Sequence, residues 1–345
     1  MNAFSPSSLK HAAAAALCAA LLGNSPAQAA NYGLEILPAL NGKSCAPLGL
    51  NNVGQVVGQC DGHAVVWNNG QITDLTPDLQ GDYNEDAAYG INDKGEIVYS
   101  HLFELMLLKD GAPIALKGAQ GGLAACPCAI NEKGKVTGSA IKKPDAVQLG
   151  QVNRWSIDAA GQQHATELAI IATDTTSEAH AINKHGVVVG VVGLRAVSWH
   201  DKQGGPLEAD DGRWSRANGI NASGTVVGVK QGASNDMPVK WEGGQAIALP
   251  LLTTKFTPGG WALGINDKGD IVGHATLQGL RAVVWRKDKV LDLNDLLSAS
   301  AKAMGWTLVS AVAINHSGVI VGTAVSPATS SVTRAFVFTP PRKAD

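Results

Sequence analysis

The chain repeats one unit along nearly its whole length. The unit reads A-x-(A/G)-I-N-x-x-G-x-(I/V)-V-G, then a loop, then R-A-V-x-W, then a turn and an apolar stretch that often ends in D-L. Its asparagine recurs at positions 51, 92, 131, 183, 221, 266 and 315, a mean step of 264/6, or 44 residues. A fixed period of this size excludes an ordinary single-core domain, because each unit must bury its apolar face against the next copy. Asn at the first position of the turn and Gly at the fourth is type I turn chemistry, with the Asn side chain capping its own turn. Apolar strands flank that turn, and R-A-V-x-W and D-L form a second hairpin, so each unit is four short antiparallel strands. The first strand carries small residues at alternate positions (Ala179 and Ala181, Ala262 and Gly264, Ala311 and Ala313), as strands crowded around an axis require. A four-stranded unit of this length has the size of a propeller blade.

The two ends of the sequence complement each other. Copy seven stops after Phe338 without a final D-L strand, and Leu34-Glu35-Ile36-Leu37 stands before copy one as Ile72-Thr73-Asp74-Leu75 stands before copy two. The expected fold is an all-β, seven-bladed β-propeller of four-stranded antiparallel blades, closed by the N-terminal strand completing the last blade. Closure also removes exposed sheet edges. An open solenoid would leave the complementary ends unexplained.

Lys10 and His11 precede an apolar run from Ala12 to Leu22, followed by Ala27-Gln28-Ala29. That is the pattern of a signal peptide with a small-residue cleavage site. The expectation is a signal peptide over 1–29, cleaved after Ala29, and a single propeller domain over 30–345 that is secreted or periplasmic. The run is too short to span a bilayer, and no later segment is long and apolar enough. A net charge of −2 offers no basic field for nucleic acid. Cys45, Cys60, Cys126 and Cys128 remain after cleavage, an even number that favours disulfides in an exported chain. Cys45 and Cys60 lie six before and nine after Asn51, on the two arms of one hairpin. Simple pairing puts them opposite each other, and a one-residue bulge would offset them. A Cys45–Cys60 disulfide is expected, and the state of the closely spaced Cys126 and Cys128 is left open. No His cluster has metal-ligand spacing, and no cofactor motif occurs.

His63-Ala64-Val65, with Arg-Ala-Val or Arg-Ala-Phe in other copies, resembles the repeat of the HAF-repeat family of probable extracellular proteins. Leu291-Asp292-Leu293-Asn294, Gly305-Trp306, Ala313-Ile314-Asn315 and the ending Phe336-Val337-Phe338-Thr339-Pro340 are similar to the family's last repeat. The resemblance covers nearly all of 30–345. It implies export and repeat architecture and carries no activity. Copies two and three depart from the pattern in their second halves.

The N-x-x-G turns keep one length, whereas the loops after V-V-G and after D-L vary and emerge on the opposite face of a propeller. A constant scaffold with variable loops separates stability from binding. Trp214, Trp261 and Trp306 stand in loops leading into consecutive blades, the first beside Asp210, Asp211, Arg213 and Arg216, the second beside Phe256. These residues are the candidate ligand site, although tryptophans at blade entries also serve as wedges. The repeated Trp67, Trp155, Trp199, Trp241 and Trp285 are packing positions, and Arg195, Arg281 and Arg334 are expected to pair with blade neighbours. The histidines, His180 and His274 among them, look scattered. No nucleophile elbow, zinc-protease helix, P-loop or dinucleotide fingerprint occurs. The expected function is a non-catalytic recognition module for an extracellular glycan or protein. The alternatives are an exported hydrolase or lyase using carboxylates such as Asp210 or Asp211, and a structural envelope protein.

Overall fold

In the computed structural model the described residues are 32–79, 85–119, 124–141, 150–158, 160–169, 176–252, 258–328 and 332–341. The proposed signal segment, Phe256 and the side chains of Cys126 and Cys128 lie outside them. The chain forms seven four-stranded antiparallel sheets in a ring, a seven-bladed β-propeller. Six blades are sequential: blade 1 (45–74), blade 2 (88–116), blade 3 (124–167), blade 4 (177–206), blade 5 (215–248) and blade 6 (259–292). Blade 7 takes three strands from 307–339 and its outer strand from Gly33–Ile36, which runs antiparallel to Thr333–Thr339 with Leu34 opposite Phe338. Tyr32 strengthens the closure by stacking on Phe338 at 4.5 Å between ring centroids and by accepting a hydrogen bond from Arg286.

Apolar side chains pack between blades, not in one common centre. Each of seven clusters combines two neighbouring blades, such as Val189 and Ala196 of blade 4 with Val226 and Val239 of blade 5. The inner strands approach each other backbone to backbone. A Cβ on Gly264 would lie 2.9 Å from the Val312 carbonyl oxygen, so the small residue two places before each asparagine is a steric requirement.

Each inner strand also carries a bulge, for example between Ala179 and Ala181 or Ala262 and Gly264. The bulge aims a carbonyl at the second strand and explains the glycine of V-V-G. A Cβ on Gly190 would lie 1.9 Å from the Glu178 oxygen. In blade 1, Leu50 pairs with Val56, which without a bulge would set Cys45 against Asp61. The bulge between Pro47 and Gly49 restores the register, and Cys45 stands opposite Cys60 in a disulfide with Cα atoms 4.2 Å apart. The irregularity expected to offset the cysteines is what brings them together.

The repeated asparagine works in two directions. Its Oδ1 accepts the backbone N–H four residues on in every blade, as expected for a capped turn. The glycines of these turns have φ between 72° and 91°, where a side chain would be strained. Each asparagine Nδ2 also donates to the backbone carbonyl of the asparagine in the next blade. The links run around the ring at 2.9–3.3 Å and close from Asn315 back to Asn51 at 3.2 Å. All seven asparagines are buried, where unpaired amides would be costly.

Candidate functional site

Blades 1 and 6 share a side-chain pair that blade 4 replaces with another arrangement. In blades 1 and 6 the outer-strand aspartate faces the first residue of the R-A-V stretch. His63 Nδ1 lies 3.0 Å from Asp74 Oδ2, and Arg281 Nε donates to Asp292 Oδ2 at 2.7 Å. Blade 4 has Pro206 at that register, since Val197 pairs with Pro206 as Val65 pairs with Asp74 and Val283 with Asp292. Arg195 turns instead to the following loop, donating to the Glu208 carbonyl at 2.8 Å and meeting Asp210 at 3.2 Å.

A second departure lies beside the first. Trp67, Trp155, Trp199 and Trp285 each donate the indole N–H to a carbonyl of the preceding blade, at Pro38, Lys117, Ala169 and Pro250. Each acceptor directly follows the leucine that ends that blade's outer edge. For Trp241 the corresponding residue is Glu208, whose carbonyl accepts from Arg195, and the buried Trp241 indole N–H has no partner among the described residues. Such local violations of a consistent pattern concentrate where a scaffold has been altered for function.

The same loops enclose a cleft of about 400 Å³ on the variable face, lined by Val192, Leu194, Val197, Pro206 and Trp214, with Arg195, Asp210 and Arg213 on its wall. Leu194, at the hairpin tip, is 73% exposed. Behind it Lys230 lies 2.7 Å from the buried Glu208 and 2.8 Å from Asp211. Burial opposes the Lys230 charge, but the two carboxylates outweigh it and raise its pKa. Lys230 in turn holds the Asp211 carboxyl below the usual carboxylate range. The acid/base carboxylates considered for a hydrolase are thus both engaged in ion pairs, Asp211 with Lys230 and Asp210 with Arg195.

A second polar group lies on the neighbouring inner strands. His180 is the bulge residue of blade 4, between Ala179 and Ala181. Its Nδ1 lies 2.7 Å from the Ala217 carbonyl oxygen and its Nε2 3.2 Å from Glu178 Oε2, while Arg216 approaches the same oxygen at 3.4 Å. The hydrogen bond to His180 and the Arg216 charge, against burial, hold Glu178 below its ordinary pKa. On the next inner strand, Trp261 donates to Asp236 Oδ2 at 3.0 Å and stacks on His274 at 6.1 Å. Burial pushes the His274 imidazole down, only partly countered by Asp236.

The structure gathers Asp210, Arg213 and Trp214 at the cleft, engages Asp211 with Lys230, and sets Trp261 6.2 Å from Trp214. Trp306 does not join them; it packs against the blade 6–7 core beside the short helix Ala299–Ala303. Sequence reasoning missed the Glu178–His180–Arg216 group, Lys230 and the Asp236–Trp261–His274 contact. Their signal was a departure at fixed repeat positions. Five and three residues before the asparagine, blades 1, 6 and 7 carry Ala46 and Leu48, Trp261 and Leu263, and Ser310 and Val312, whereas blades 4 and 5 carry Glu178 and His180, and Arg216 and Asn218.

Among the described residues no group of three or more His, Cys, Asp or Glu is gathered as a metal site, and no helix is long and apolar enough to cross a membrane. No hydrogen bond joins a Ser or Cys to a histidine there.

No family model matches the chain, and no curated protein does. Among solved structures it is similar to puromycin hydrolase, at 14% identity and a TM-score of 0.56, over 92% of this chain and 57% of that one. It is also similar to the acylaminoacyl peptidase of Pyrococcus horikoshii, at 9% identity and a TM-score of 0.53, over 90% of this chain and 54% of that one. The chain thus spans about half the length of these peptidases. At such identity the likeness establishes the fold, a closed β-propeller of the shape these peptidases carry. The expectation of a non-catalytic glycan or protein recognition module is corrected on two findings. The propellers matched belong to hydrolases, and the loop tryptophans form no open platform, since Trp261 is engaged by Asp236 and His274 and Trp306 by the core.

Proposed function

We propose that the chain is a hydrolase-type propeller, the substrate-handling part of an exported peptide-hydrolysing system whose bond-breaking groups come from a further domain or chain. The observation that carries it is a group of departures from the repeat gathered beside one cleft. Pro206, the redirected Arg195, the unpartnered Trp241 indole and the Glu208–Lys230–Asp211 network all belong to the junction of blades 4 and 5. Apolar walls with a few placed charges suit a peptide better than a polar sugar. The likeness to propellers in peptidases about twice as long agrees with a part that works beside a hydrolytic unit. Export rests on the signal pattern of 1–29 and agrees with the Cys45–Cys60 disulfide.

The test is a titration of the purified protein followed by tryptophan fluorescence, with chromatography of the ligands afterwards. Short peptides and aminoacyl amides, puromycin among them, should give a saturable response and be recovered uncleaved, and neutral oligosaccharides should give none. A response to oligosaccharides alone, or none to peptides from protein with intact β-sheet circular dichroism, overturns the proposal. Cleavage by the chain alone would move the chemistry into the propeller itself.

A further inference from the structure

We infer that the cleft between blades 4 and 5 reads the carboxyl end of a peptide, seating an apolar terminal side chain against Leu194 and Trp214 while Arg213 holds the terminal carboxylate. This rests on the peptide-handling function proposed above. The cations around the cleft are not equivalent. Arg195 is spent on the Glu208 carbonyl and Asp210, and Lys230 on Glu208 and Asp211. Arg213 stands on the cleft wall, and its guanidinium makes no ion pair with a described residue. The Arg213 charge acts on Asp211, but Lys230 already engages that carboxylate at 2.8 Å.

The Arg213 backbone is nonetheless fixed. Its N–H donates to Asp211 Oδ1 at 3.1 Å, and the Gly212 N–H donates to Asp210 Oδ1 at 3.0 Å. Both acidic residues of the loop are therefore committed to shaping it and to neutralising Arg195 and Lys230. Among the described residues, the one uncommitted charge on the wall is a guanidinium, whose planar fork matches a carboxylate with two parallel hydrogen bonds. It borders an apolar wall in a cleft of about 400 Å³, room for one or two residues. A ligand that satisfies both features needs a carboxylate next to an apolar side chain, which describes a peptide's last residue. An amino terminus finds no free carboxylate here.

The test compares acetyl-Ala-Ala-Phe with its C-terminal amide by calorimetric titration of the full chain. The free acid should bind about tenfold tighter, the effect of one charge-assisted pair, and added salt should narrow the gap. In Arg213→Gln the acid should fall to the affinity of the amide while the amide is unchanged. Leu194→Asp should weaken both. Equal affinity of acid and amide for the native protein overturns this inference and leaves the peptide-handling function standing. Binding of neither overturns that function as well. Acetyl-Ala-Ala-Glu amide binding as tightly as acetyl-Ala-Ala-Phe acid would show that any carboxylate suffices, and would refute the terminal assignment.

Discussion

Replacing Asn266 by alanine removes three hydrogen bonds at one buried position. Its Oδ1 accepts from the Lys268 and Asp270 N–H groups, each at 3.0 Å, and its Nδ2 donates to the Asn315 carbonyl at 3.0 Å. At about 1 kcal/mol net for each bond the expected loss is about 3 kcal/mol. For a chain of this length the unfolding entropy converts that into a melting temperature lower by about 4–5 °C. The assay is thermal unfolding followed by circular dichroism, with denaturant titration to confirm an unchanged m-value. Lys268→Ala is the control, because it alters an exposed side chain in the same turn and should shift stability by under about 0.5 kcal/mol. If Asn266→Ala melts within a degree of the control, the Asn-to-Asn links contribute nothing and the account of the ring is wrong.

Trp241→Phe should cost about 1 kcal/mol less than Trp285→Phe, because only the second deletes a satisfied indole hydrogen bond, the one to Pro250; paired melting curves would show it. At the blade 2 hairpin tip, Leu102 and Phe103 sit at φ 49° and 66° with Phe103 83% exposed, where blade 1 uses Asp61-Gly62. Substituting Asn-Gly there should raise stability by about 1 kcal/mol, and a lower melting temperature would contradict the strain. Glu96 is buried. Burial pushes its carboxyl up, but hydrogen bonds from Lys109 at 2.8 Å and Asn92 at 2.6 Å bring it below its ordinary value. A depressed folded pKa contributes stability that is present above the unfolded carboxyl pKa and lost as pH falls through the folded one. Glu96→Gln should therefore flatten the acid limb of the stability–pH curve, and an unchanged limb would remove Glu96 from it.

The blades, their number and the closing strand were legible because turn chemistry and period are local properties repeated seven times. What lay between copies was not legible. The second role of each asparagine joins residues 38–52 apart in sequence, or 264 apart at the closure, and no local pattern announces it. The pairing of His63 with Asp74 and of Arg281 with Asp292 was concealed in the same way, since the partners stand on different strands, eleven residues apart for Arg281 and Asp292. Simple register counting set Cys45 opposite Cys60 but did not foresee the inner-strand bulge that produces that register. At the candidate site, loop composition pointed to Trp214, Asp210, Asp211 and Arg213, of which Trp214, Asp210 and Arg213 line one cleft. It could not separate Trp306, because a tryptophan before an inner strand looks the same whether it faces a cleft or a core. His180 looked scattered because the Ala217 carbonyl beside its Nδ1 belongs to the next blade.

The asparagine links run along one rim of the ring only, the rim of the constant turns. A barrel hooped at one end has most of its compliance at the other. Blades can splay on the loop side by pivoting about the hoop, but widening the hooped end must stretch several amide links together. An entrant molecule should therefore meet a stiff floor and a yielding mouth, and the cleft of blades 4 and 5 opens at that mouth.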